Sequence, residues 1–428
     1  MVACSPSLRS PVIRAYPRSQ ATEIPRVAQS GEAMKVVLVS ALALVLSSSS
    51  AWATCKMIMT TDPGGQPDSV IFDGCNVVVR NGAGSTATTN GLGNLIVGYN
   101  EPRSDTTPAD RAGSHNLIVG VRHHYPSYAG MALGRQNTIS GPYSSVTGGG
   151  QNTASGNRSS VSGGQSNVAS GDYSSVSGGE ENQATDVGTS VSGGDNNVAG
   201  TGSQPTGLIS ASTVSGGYRN AASGQFAAVS GGFNGTASGS TSSVSGGSGN
   251  GATSSESSVC GGQTNTASGP ASSVCGGASN VASGVTSSVV GGQSNVTSGV
   301  ASSVSGGYQN QATDQWTSVS GGAGNVAGPG TVPQDFTLTG SEGATVAGGE
   351  GNSATGKAAS VSGGAFSAAS GDEASVSGGF GNAATGEVSS VSGGAGNHAS
   401  NFGTSVSGGM NVTQGTSYGW AGGTLHSP

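Results

Sequence analysis

The chain has 428 residues, of which 79 are Gly and only 8% are charged, and its formal net charge at pH 7 is −7. A chain with this much glycine and so few charged and aromatic residues would be disordered if it had no period. It could not bury enough apolar surface to offset the entropy lost on ordering. The first question is therefore whether the sequence repeats.

The first part of the chain, residues 1–53, has the features of a leader. Residues 1–33 are polar and basic with no strand or helix period, and we interpret them as an extension upstream of a true start at Met34. Residues 34–53 (MKVVLVSALALVLSSSSAWA) have a lysine, an apolar core and an Ala-Trp-Ala end, which together are typical of a secretory signal peptide. A short membrane anchor is the alternative, but the apolar run at 36–46 is shorter than the ~18–20 residues of a span.

The chain that follows residue 53 is acidic. It has 9 Lys and Arg against 19 Asp and Glu, a net charge of 9 − 19 = −10. This balance argues against a nucleic acid or an anionic membrane as partner. Cys55 and Cys75 flank the start of this chain, and in an oxidising compartment they are expected to close a disulfide-bonded cap. Residues 54–130 are predicted to form an amino-terminal cap with degenerate β coils, such as GNLIVG at 93–98 and HNLIVG at 115–120.

A repeat with a regular step of fifteen follows the cap, and we number each copy from its Val as position 0. Gly-Gly stands at positions +2 and +3 in every copy, Asn at +6 in 14 of 17 copies and Ala at +8 in 15 of 17. Two steps are longer, namely Val191 to Val214 (214 − 191 = 23) and Val319 to Val346 (346 − 319 = 27). The 17 anchors are Val146, Val161, Val176, Val191, Val214, Val229, Val244, Val259, Val274, Val289, Val304, Val319, Val346, Val361, Val376, Val391 and Val406.

Each copy offers two short strands with inward side chains at positions 0, +6 and +8, separated by glycine bends. A unit of this size is too small for a βαβ unit but suffices for one turn of a solenoid. The predicted fold is therefore all-β, a parallel β-roll or β-solenoid of fifteen-residue coils. We place the repeat array at 131–409, with Met131 as a further anchor because it stands one regular step before Val146 (146 − 15 = 131). Loop insertions are expected near 200–212 and 328–344, and a carboxy-terminal cap at 410–428.

The predicted core is thin, with about one Val and one Ala in each coil. Burial of so little apolar surface contributes only a few kcal/mol per coil, less than the cost of ordering a whole coil of backbone. We therefore expect several chains to associate side by side, with Asn side-chain amides bonding to one another along the axis. The core ladder is assigned to Val146, Val161, Val176, Val229, Val244, Val304, Val361, Val376, Asn152, Asn167, Asn182, Asn280, Asn295 and Asn310.

The SVSGGxxNxASG units resemble the YadA-like, or haemagglutinin-type, head repeats of trimeric autotransporter adhesins. The resemblance covers residues 131–409 and implies a left-handed parallel β-roll assembled as a homotrimer on a bacterial surface. Three features depart from the family. The frame has one position more than the family's usual frame, Gly replaces the large apolar residue before the bend, and neither a heptad stalk nor a membrane anchor is evident. Self-anchoring and a specific ligand such as collagen are therefore not carried over.

Motifs for catalysis and cofactors are weak. GGSGNG at 246–251 lacks the Lys-Ser/Thr and the helix of a phosphate loop, and GGAGNH at 393–398 lacks the Asp of a calcium-binding repeat. His123 and His124 have no partner cluster and are interpreted as surface residues. We expect no enzyme activity, no cofactor and no metal site. Cys260 and Cys275 occupy position +1 of adjacent coils, where a disulfide and a plain replacement of Ser both remain open.

Candidate binding residues are those that vary within the frame. Positions −3 and +4 should face solvent, and loops on a rigid scaffold are a usual place for function. The predicted function is a secreted, adhesin-like surface or fibre protein that contacts a host or environmental protein or glycan. A purely structural envelope rod is the alternative, followed by an ice-binding solenoid with Ser and Thr columns. The candidate binding surface is Asp335, Phe336, Leu338, Trp316, Tyr173 and Phe226.

Overall fold

The computed structural model describes residues 56–60, 69–103, 111–202, 210–329 and 342–423, and these residues contain no α-helix. The chain divides into two units, residues 1–76 and 77–428. In the first unit, β1 (Lys56–Thr60) pairs antiparallel with β2 (Ser69–Asp73). Cys75 follows this hairpin and is disulfide-bonded. Its predicted partner Cys55, the extension at 1–33 and the signal peptide at 34–53 lie outside the described residues.

The second unit is a parallel β-solenoid of about 19 turns, which confirms the predicted fold class. Its first sheet starts with β3 (Leu95–Val97), β4 (Leu117–Val121) and β5 (Met131–Arg135). This sheet continues through the two-residue strands Ser145–Val146, Ser160–Val161, Ser175–Val176, Ser190–Val191, Thr213–Val214, Ala228–Val229, Ser243–Val244, Ser258–Val259, Ser273–Val274, Ser288–Val289, Ser303–Val304, Ser318–Val319, Thr345–Val346, Ser360–Val361, Ser375–Val376, Ser390–Val391, Ser405–Val406 and Trp420–Ala421.

The second sheet is built from the Asn-x-Ala half of each repeat. Its strands are Thr138–Ile139, Thr153–Ala154, Val168–Ala169, Gln183–Ala184, Val198–Ala199, Ala221–Ala222, Thr236–Ala237, Gly251–Ala252, Thr266–Ala267, Val281–Ala282, Val296–Thr297, Gln311–Ala312, Val326–Ala327, Ser353–Ala354, Ala368–Ala369, Ala383–Ala384, His398–Ala399 and Thr413–Gln414. A third line of parallel bridges joins the residues at position +4, for example Gly150 to Gln165. From the coil of Ala132 to the coil of Val406, each coil is thus bonded to the next along three lines.

The register places like residues on like residues. Val161 pairs with Val176, and Ala169 pairs with Ala184, one repeat along the chain. The two long steps keep this register, because Val191 pairs with Val214 and Val319 with Val346. The inserted residues therefore leave the stack and return to it without interrupting the sheets.

The first coils are one residue shorter than the sequence predicts. Ala132, not Met131, pairs with Val146, and Met131 pairs with Ser145. The step of this coil is 146 − 132 = 14, because the bend contains Gly134 alone in place of a Gly-Gly pair. The preceding step, from Ile118 to Ala132, has the same length (132 − 118 = 14). The assignment of Met131 as an anchor was wrong by one position, since the count assumed a constant step.

One chain is enough to seal the core of the solenoid. The Val residues at position 0 and the Ala residues at +8 are 0–1% exposed, and the ladder Asn residues are equally buried. The side chains at positions −1, +1, +7 and +9 point outward from the two sheets. Association of several chains is therefore not required to cover the core.

The Asn at position +6 joins adjacent coils through the backbone. Asn167 Oδ1 accepts the N–H of Asn182 at 3.0 Å, while Asn167 Nδ2 donates to the carbonyl oxygens of Gly163 at 3.0 Å and Gly179 at 2.9 Å. The predicted amide-to-amide bonding is thus corrected for the ladder as a whole, although Asn197 Nδ2 also donates to Asn182 Oδ1 at 3.1 Å. Each Asn instead satisfies one buried N–H and two carbonyl groups that the bend would otherwise leave unpaired.

Glycine at position +3 of every coil and at position +10 of most coils fits close packing between neighbouring coils. At position +3, Gly164 has a φ of 83°, and a Cβ atom there would lie 2.1 Å from the carbonyl oxygen of Gly179. At position +10, a Cβ atom on Gly171 would lie 2.0 Å from the carbonyl oxygen of Asp186. Position +3 is therefore Gly in every coil, whereas a side chain at position +10, as in Asp186, Ser254, Asp314 and Asn401, requires the neighbouring coil to shift.

We predict that Gly235→Asn stabilises the array. Gly235 occupies position +6, and the N–H of Asn250 in the next coil therefore has no Asn oxygen beneath it, unlike that of Asn265, which donates to Asn250 Oδ1 at 2.9 Å. Three added side-chain bonds should raise the free energy of unfolding by about 1–2 kcal/mol. Chemical denaturation and hydrogen exchange at residue 250 would measure this. Asn167→Ala is the matched control: it removes the same three side-chain bonds from another coil and should lower the free energy of unfolding. An unchanged exchange rate at residue 250 would contradict the ladder interpretation.

His123 begins the Asn ladder, and its interpretation as a surface residue was wrong. It is 3% exposed, its Nδ1 accepts the N–H of Asn137 at 3.3 Å, and its Nε2 contacts the carbonyl oxygen of Val119 at 3.0 Å. Asn137 in the next coil makes the same two kinds of bond. Its Oδ1 accepts the N–H of Asn152, and its Nδ2 donates to the carbonyl oxygen of Leu133, four residues earlier. The imidazole thus takes the place of an amide, with its proton on Nε2.

We predict that the amino-terminal coils lose stability in acid. Burial lowers the pKa of His123 below its usual value of 6.5, so the unfolded chain takes up a proton that the folded chain does not. Stability is then complete above about pH 6.5 and falls as the pH drops below that value. Hydrogen exchange of residues 117–137 between pH 5 and pH 8 would measure the effect. His123→Asn should abolish the pH dependence while keeping the ladder. A wild-type profile that is flat across this range would disprove the assignment.

Candidate functional site

Charged residues of the array are confined to the turns of the coil. Two corners can be defined, the +4/+5 corner and the +11/+12 corner, where +12 is the position three before the next Val. The +4/+5 corner carries Arg135, Glu180, Glu181, Asp195, Arg219 and Glu350. The +11/+12 corner carries Arg158, Asp172, Glu256, Lys357, Asp372, Glu373 and Glu387, and Glu342 returns to it after the second insertion. The remaining acids are Asp186 and Asp314 at position +10 and Asp335 within that insertion.

The two sheet faces between these corners are uncharged and built from small residues. Over the 17 coils, position −1 carries 14 Ser, two Thr and one Ala. Position +1 carries 12 Ser, two Cys and one each of Thr, Val and Ala. Positions +7 and +9 of the second sheet likewise have no Asp, Glu, Lys or Arg. A surface that is free of charge over so many positions differs from the mixed surface of an ordinary soluble domain.

Three of the predicted binding residues lie at the +11/+12 corner. Tyr173, Phe226 and Trp316 are 56%, 52% and 51% exposed, and each has a φ of 57°. This left-handed backbone is unusual for bulky residues and directs the column away from the coil. Some corner side chains pair along the axis: the Arg158 guanidinium lies 5.3 Å from the ring centre of Tyr173 and donates to its hydroxyl at 2.5 Å. The three residues are exposed but are separated by several coils.

The two insertions leave the solenoid through similar local structures. At the first exit, the Asp186 carboxylate accepts the N–H of Thr201 at 2.8 Å through Oδ2 and that of Gly202 at 2.8 Å through Oδ1. Gly200 has a φ of 98°, and a Cβ atom there would lie 2.7 Å from Cγ of Asp186. The buried carboxylate therefore turns the chain outward and holds the first two residues of the loop.

The second exit has the same Asp, Thr and Gly further along the array, but Pro329 stands in the place of Thr201 and has no N–H to donate to Asp314. Asp314 is 2% exposed, Gly328 has a φ of 98°, and a Cβ atom on Gly328 would lie 3.0 Å from Cβ of Asp314. Thr313 Oγ1 donates to the carbonyl of Ala327 at 3.3 Å, as Thr185 does to Ala199. The two exits are eight coils apart, or about 38 Å along the axis. The predicted loop residues Asp335, Phe336 and Leu338 lie outside the described residues.

The return of each loop is also alike. The N–H groups of Ser210 and Ala211 donate to the carbonyl of Val187 at 3.1 and 3.2 Å, and that of Gly343 donates to the carbonyl of Gln315 at 3.2 Å. Both loops therefore leave at position +9 and return at the +11/+12 corner of the same coil.

The sequence contains a signal for these exits that our prediction did not use. The segment NQATDVGTSVSGGDNNVAG at 182–200 and the segment NQATDQWTSVSGGAGNVAG at 310–328 are identical at 15 of 19 positions. Asp occurs at position +10 in the two coils that precede the insertions and in no other coil. An aligned table of the repeats would have shown this exception, because Gly is the usual residue there.

Several polar groups outside the corners have structural roles in the amino-terminal coils. Among residues 56–60, 69–103, 111–202, 210–329 and 342–423, no group of three or more His, Cys, Asp or Glu could hold a metal ion. Tyr125 is 1% exposed and donates to Asn100 Oδ1 at 2.9 Å, and burial raises the pKa of its hydroxyl. A surface cavity of about 520 Å³ is lined in part by Arg80 and His115. The Nε2 atom of His115 accepts the N–H of Asn81 at 3.2 Å. These groups hold the amino-terminal coils together.

Comparison with known proteins identifies no relative. No protein-family model matches the chain, and no curated protein matches it. In the part of the chain that the structure describes, no helix is long and apolar enough to cross a membrane. The proposed function therefore depends on the sequence and the geometry alone.

We predict that Asp186→Asn loosens the first loop exit without unfolding the coil. The amide replaces one carboxylate oxygen by a donor, which faces the N–H of Thr201 or Gly202 and cannot accept it. The exchange rates of these two amides should rise by about tenfold or more, corresponding to a lost charge-assisted bond of about 1.5–3 kcal/mol. Asp172→Asn is the control, because the exposed Asp172 accepts the N–H of Asn157 at 2.9 Å and anchors no insertion. Equal protection of residues 201 and 202 in wild type and variant would sink the proposed role of Asp186.

Proposed function

We propose that the protein is a secreted, non-catalytic, adhesin-like display rod. In this proposal the solenoid holds two loops and a set of exposed corner side chains at fixed positions, and these contact a protein or glycan on another surface. The leader at 34–53 supports export. The resemblance to trimeric autotransporter head repeats supports a bacterial cell-surface or outer-membrane-associated location and a homotrimer.

One observation carries this proposal, the duplicated loop exit. A rod that served only as a spacer would have no need for insertions. Here the two insertions lengthen the regular step by 8 (23 − 15) and by 12 (27 − 15), and each follows a coil with a buried Asp at position +10. The same Asp, Thr and Gly recur at the two exits, eight coils apart. Such an arrangement favours presentation of both loops on one side of the rod.

A second candidate function, a structural rod that packs side by side, is favoured by a different observation. Gly stands at position +2 in all 17 coils. A Cβ atom at these glycines meets nothing closer than 3.6 Å, and in 14 coils φ lies outside the left-handed region. Little within the chain requires glycine there, unlike at +3 and +10. Close approach of another chain to the uncharged first face would account for it.

The loops can be removed without altering the register. Deletion of residues 202–209 with Thr201→Gly, and of residues 330–341 with Pro329→Gly, restores the uniform step in both coils. Asp186→Gly and Asp314→Gly are added, because the regular coils then stack closely at position +10. Wild type and this loop-free chain are compared on arrays of glycans and extracellular-matrix proteins. Circular dichroism and light scattering on the same samples report fold and mass. We expect the wild type to bind at least one class of target and the loop-free chain to bind about tenfold or more weakly.

The outcomes separate the two candidate functions. Equal binding by the wild type and the loop-free chain would remove the loops from the proposal. A wild type that binds no target but forms lateral assemblies would favour the structural rod. In that case Gly276→Val and Gly306→Val, which add side chains where nothing lies within 4 Å, should leave the β-sheet spectrum intact and reduce the mass of the assembly.

A further inference from the structure

The outer column at position +1 is interrupted by two cysteines in adjacent coils. The strands Ser258–Val259 and Ser273–Val274 pair in register, so that Cys260 and Cys275 follow them as direct neighbours. Backbone bonds fix both residues, since the N–H of Cys260 donates to Val274 O at 3.0 Å and that of Cys275 to Val289 O at 2.9 Å. Both thiols are free and exposed. The two sulfur atoms are therefore presented side by side on a rigid, uncharged face.

The thiols interact with each other. A side-chain hydrogen bond links Cys275 to Cys260, and burial together with this neighbour raises the pKa of the Cys275 thiol. The +1 column otherwise has Ser, Thr, Ala and Val, none of which supplies a competing strong ligand. A cation placed between two thiolates would remove the repulsion that now opposes their ionisation.

A disulfide between the two residues is disfavoured by the sheet. Side chains of in-register neighbours in a parallel sheet project side by side, at about the strand spacing of ~4.8 Å. Disulfides require Cβ atoms roughly 3.8 Å apart. The ladder above and below resists the approach of one coil to the next, because Asn265 and Asn280 bond across this same step at 2.9 Å. A bond formed here would be strained and easily reduced.

We propose that Cys260 and Cys275 form a binding site for one soft metal ion of the Cu(I) or Ag(I) class, held between the two sulfur atoms. Soft thiolates select soft ions, and no third His, Cys, Asp or Glu joins the pair among the described residues. The pair therefore suits an ion with two ligands better than zinc, which takes four. A metal–sulfur bond of roughly 2.3 Å places the two sulfurs roughly 4.6 Å apart, close to the strand spacing.

Binding involves no oxidation. Each thiol gives up its proton to solvent, each thiolate donates an electron pair to the ion, and a monovalent ion yields a complex with one net negative charge. Affinity should therefore rise with pH until both thiols are ionised. The site is independent of the display function proposed above, because it lies on the first face rather than at a loop exit.

The test moves the pair along the column. In Cys260→Ser/Val290→Cys the thiols at 275 and 290 are again adjacent, one coil further along. In Cys275→Ser/Val290→Cys the thiols at 260 and 290 are two coils apart, about 9.6 Å. Both variants have the same substitution at Val290 and the same number of thiols. Cys4, Cys55 and Cys75 are replaced by Ser in every protein compared, the parent included, so that no other thiol binds Cu(I). Full-length protein is reduced, separated from reductant under argon and titrated with Cu(I) against a chromogenic Cu(I) chelator.

We expect one Cu(I) per chain in the parent, with a thiolate-to-metal absorption band. The adjacent variant should bind within a few-fold of the parent, and the separated variant about 100-fold more weakly, because the second thiolate no longer acts at high effective concentration. Three results would overturn the proposal: equal affinity in the separated variant, no uptake by the reduced parent, or a disulfide between residues 260 and 275 in protein isolated without reductant.

Discussion

The hydrogen bond from each Asn oxygen to the backbone N–H of the next coil is the interaction on which this structure depends. It links position +6 of one coil to position +6 of the next, so a slip by even one residue would leave a buried amide and two carbonyl groups unpaired. The ladder runs across both long insertions, from Asn197 to Asn220 and from Asn325 to Asn352 at 2.9 Å. The thin Val and Ala core alone would not fix the register so strictly, because small side chains fit several alignments.

The repeat predicted the fold well, because period and burial are linked. A Val, Asn and Ala at fixed spacing, with glycine at the bends, predicts inward columns, and the described Val146, Asn167 and Ala169 all lie in them. The prediction was wrong where the spacing itself changes. Met131 was assigned by counting back one regular step, whereas the backbone closes that coil with one glycine fewer and places Ala132 beneath Val146. A count along the sequence cannot detect a shortened bend when the flanking residues are similar.

The prediction from the sequence was also wrong where one residue type performs the structural role of another. His123 is not an Asn, yet its ring offers one acceptor and one donor at the same spacing, and the ladder begins there. Asp186 stands where most coils have a closely packed glycine, and it is tolerated because the next coil opens outward at Gly200 and receives its carboxylate. Both residues are exceptions to the repeat, and both depend on neighbours that only the three-dimensional stack identifies. The loop residues 335–338 lie outside the described residues, so the candidate site is defined by its exits.

A scaffold with so strict a register makes position along the column the main variable of function. Every coil presents the same backbone, so one substitution changes chemistry without changing geometry. Asp at position +10 opens the coil for a loop, aromatic residues at position +12 add exposed surface, and two Cys at position +1 place two sulfur atoms at the strand spacing. Neighbouring coils are separated by a fixed distance. Two such residues can therefore bind one ligand together when they lie in adjacent coils, and cannot do so when they lie further apart. The repeat therefore explains why function is sought in its exceptions: the ladder fixes the register, and only the outward columns and the two interrupted coils are free to differ.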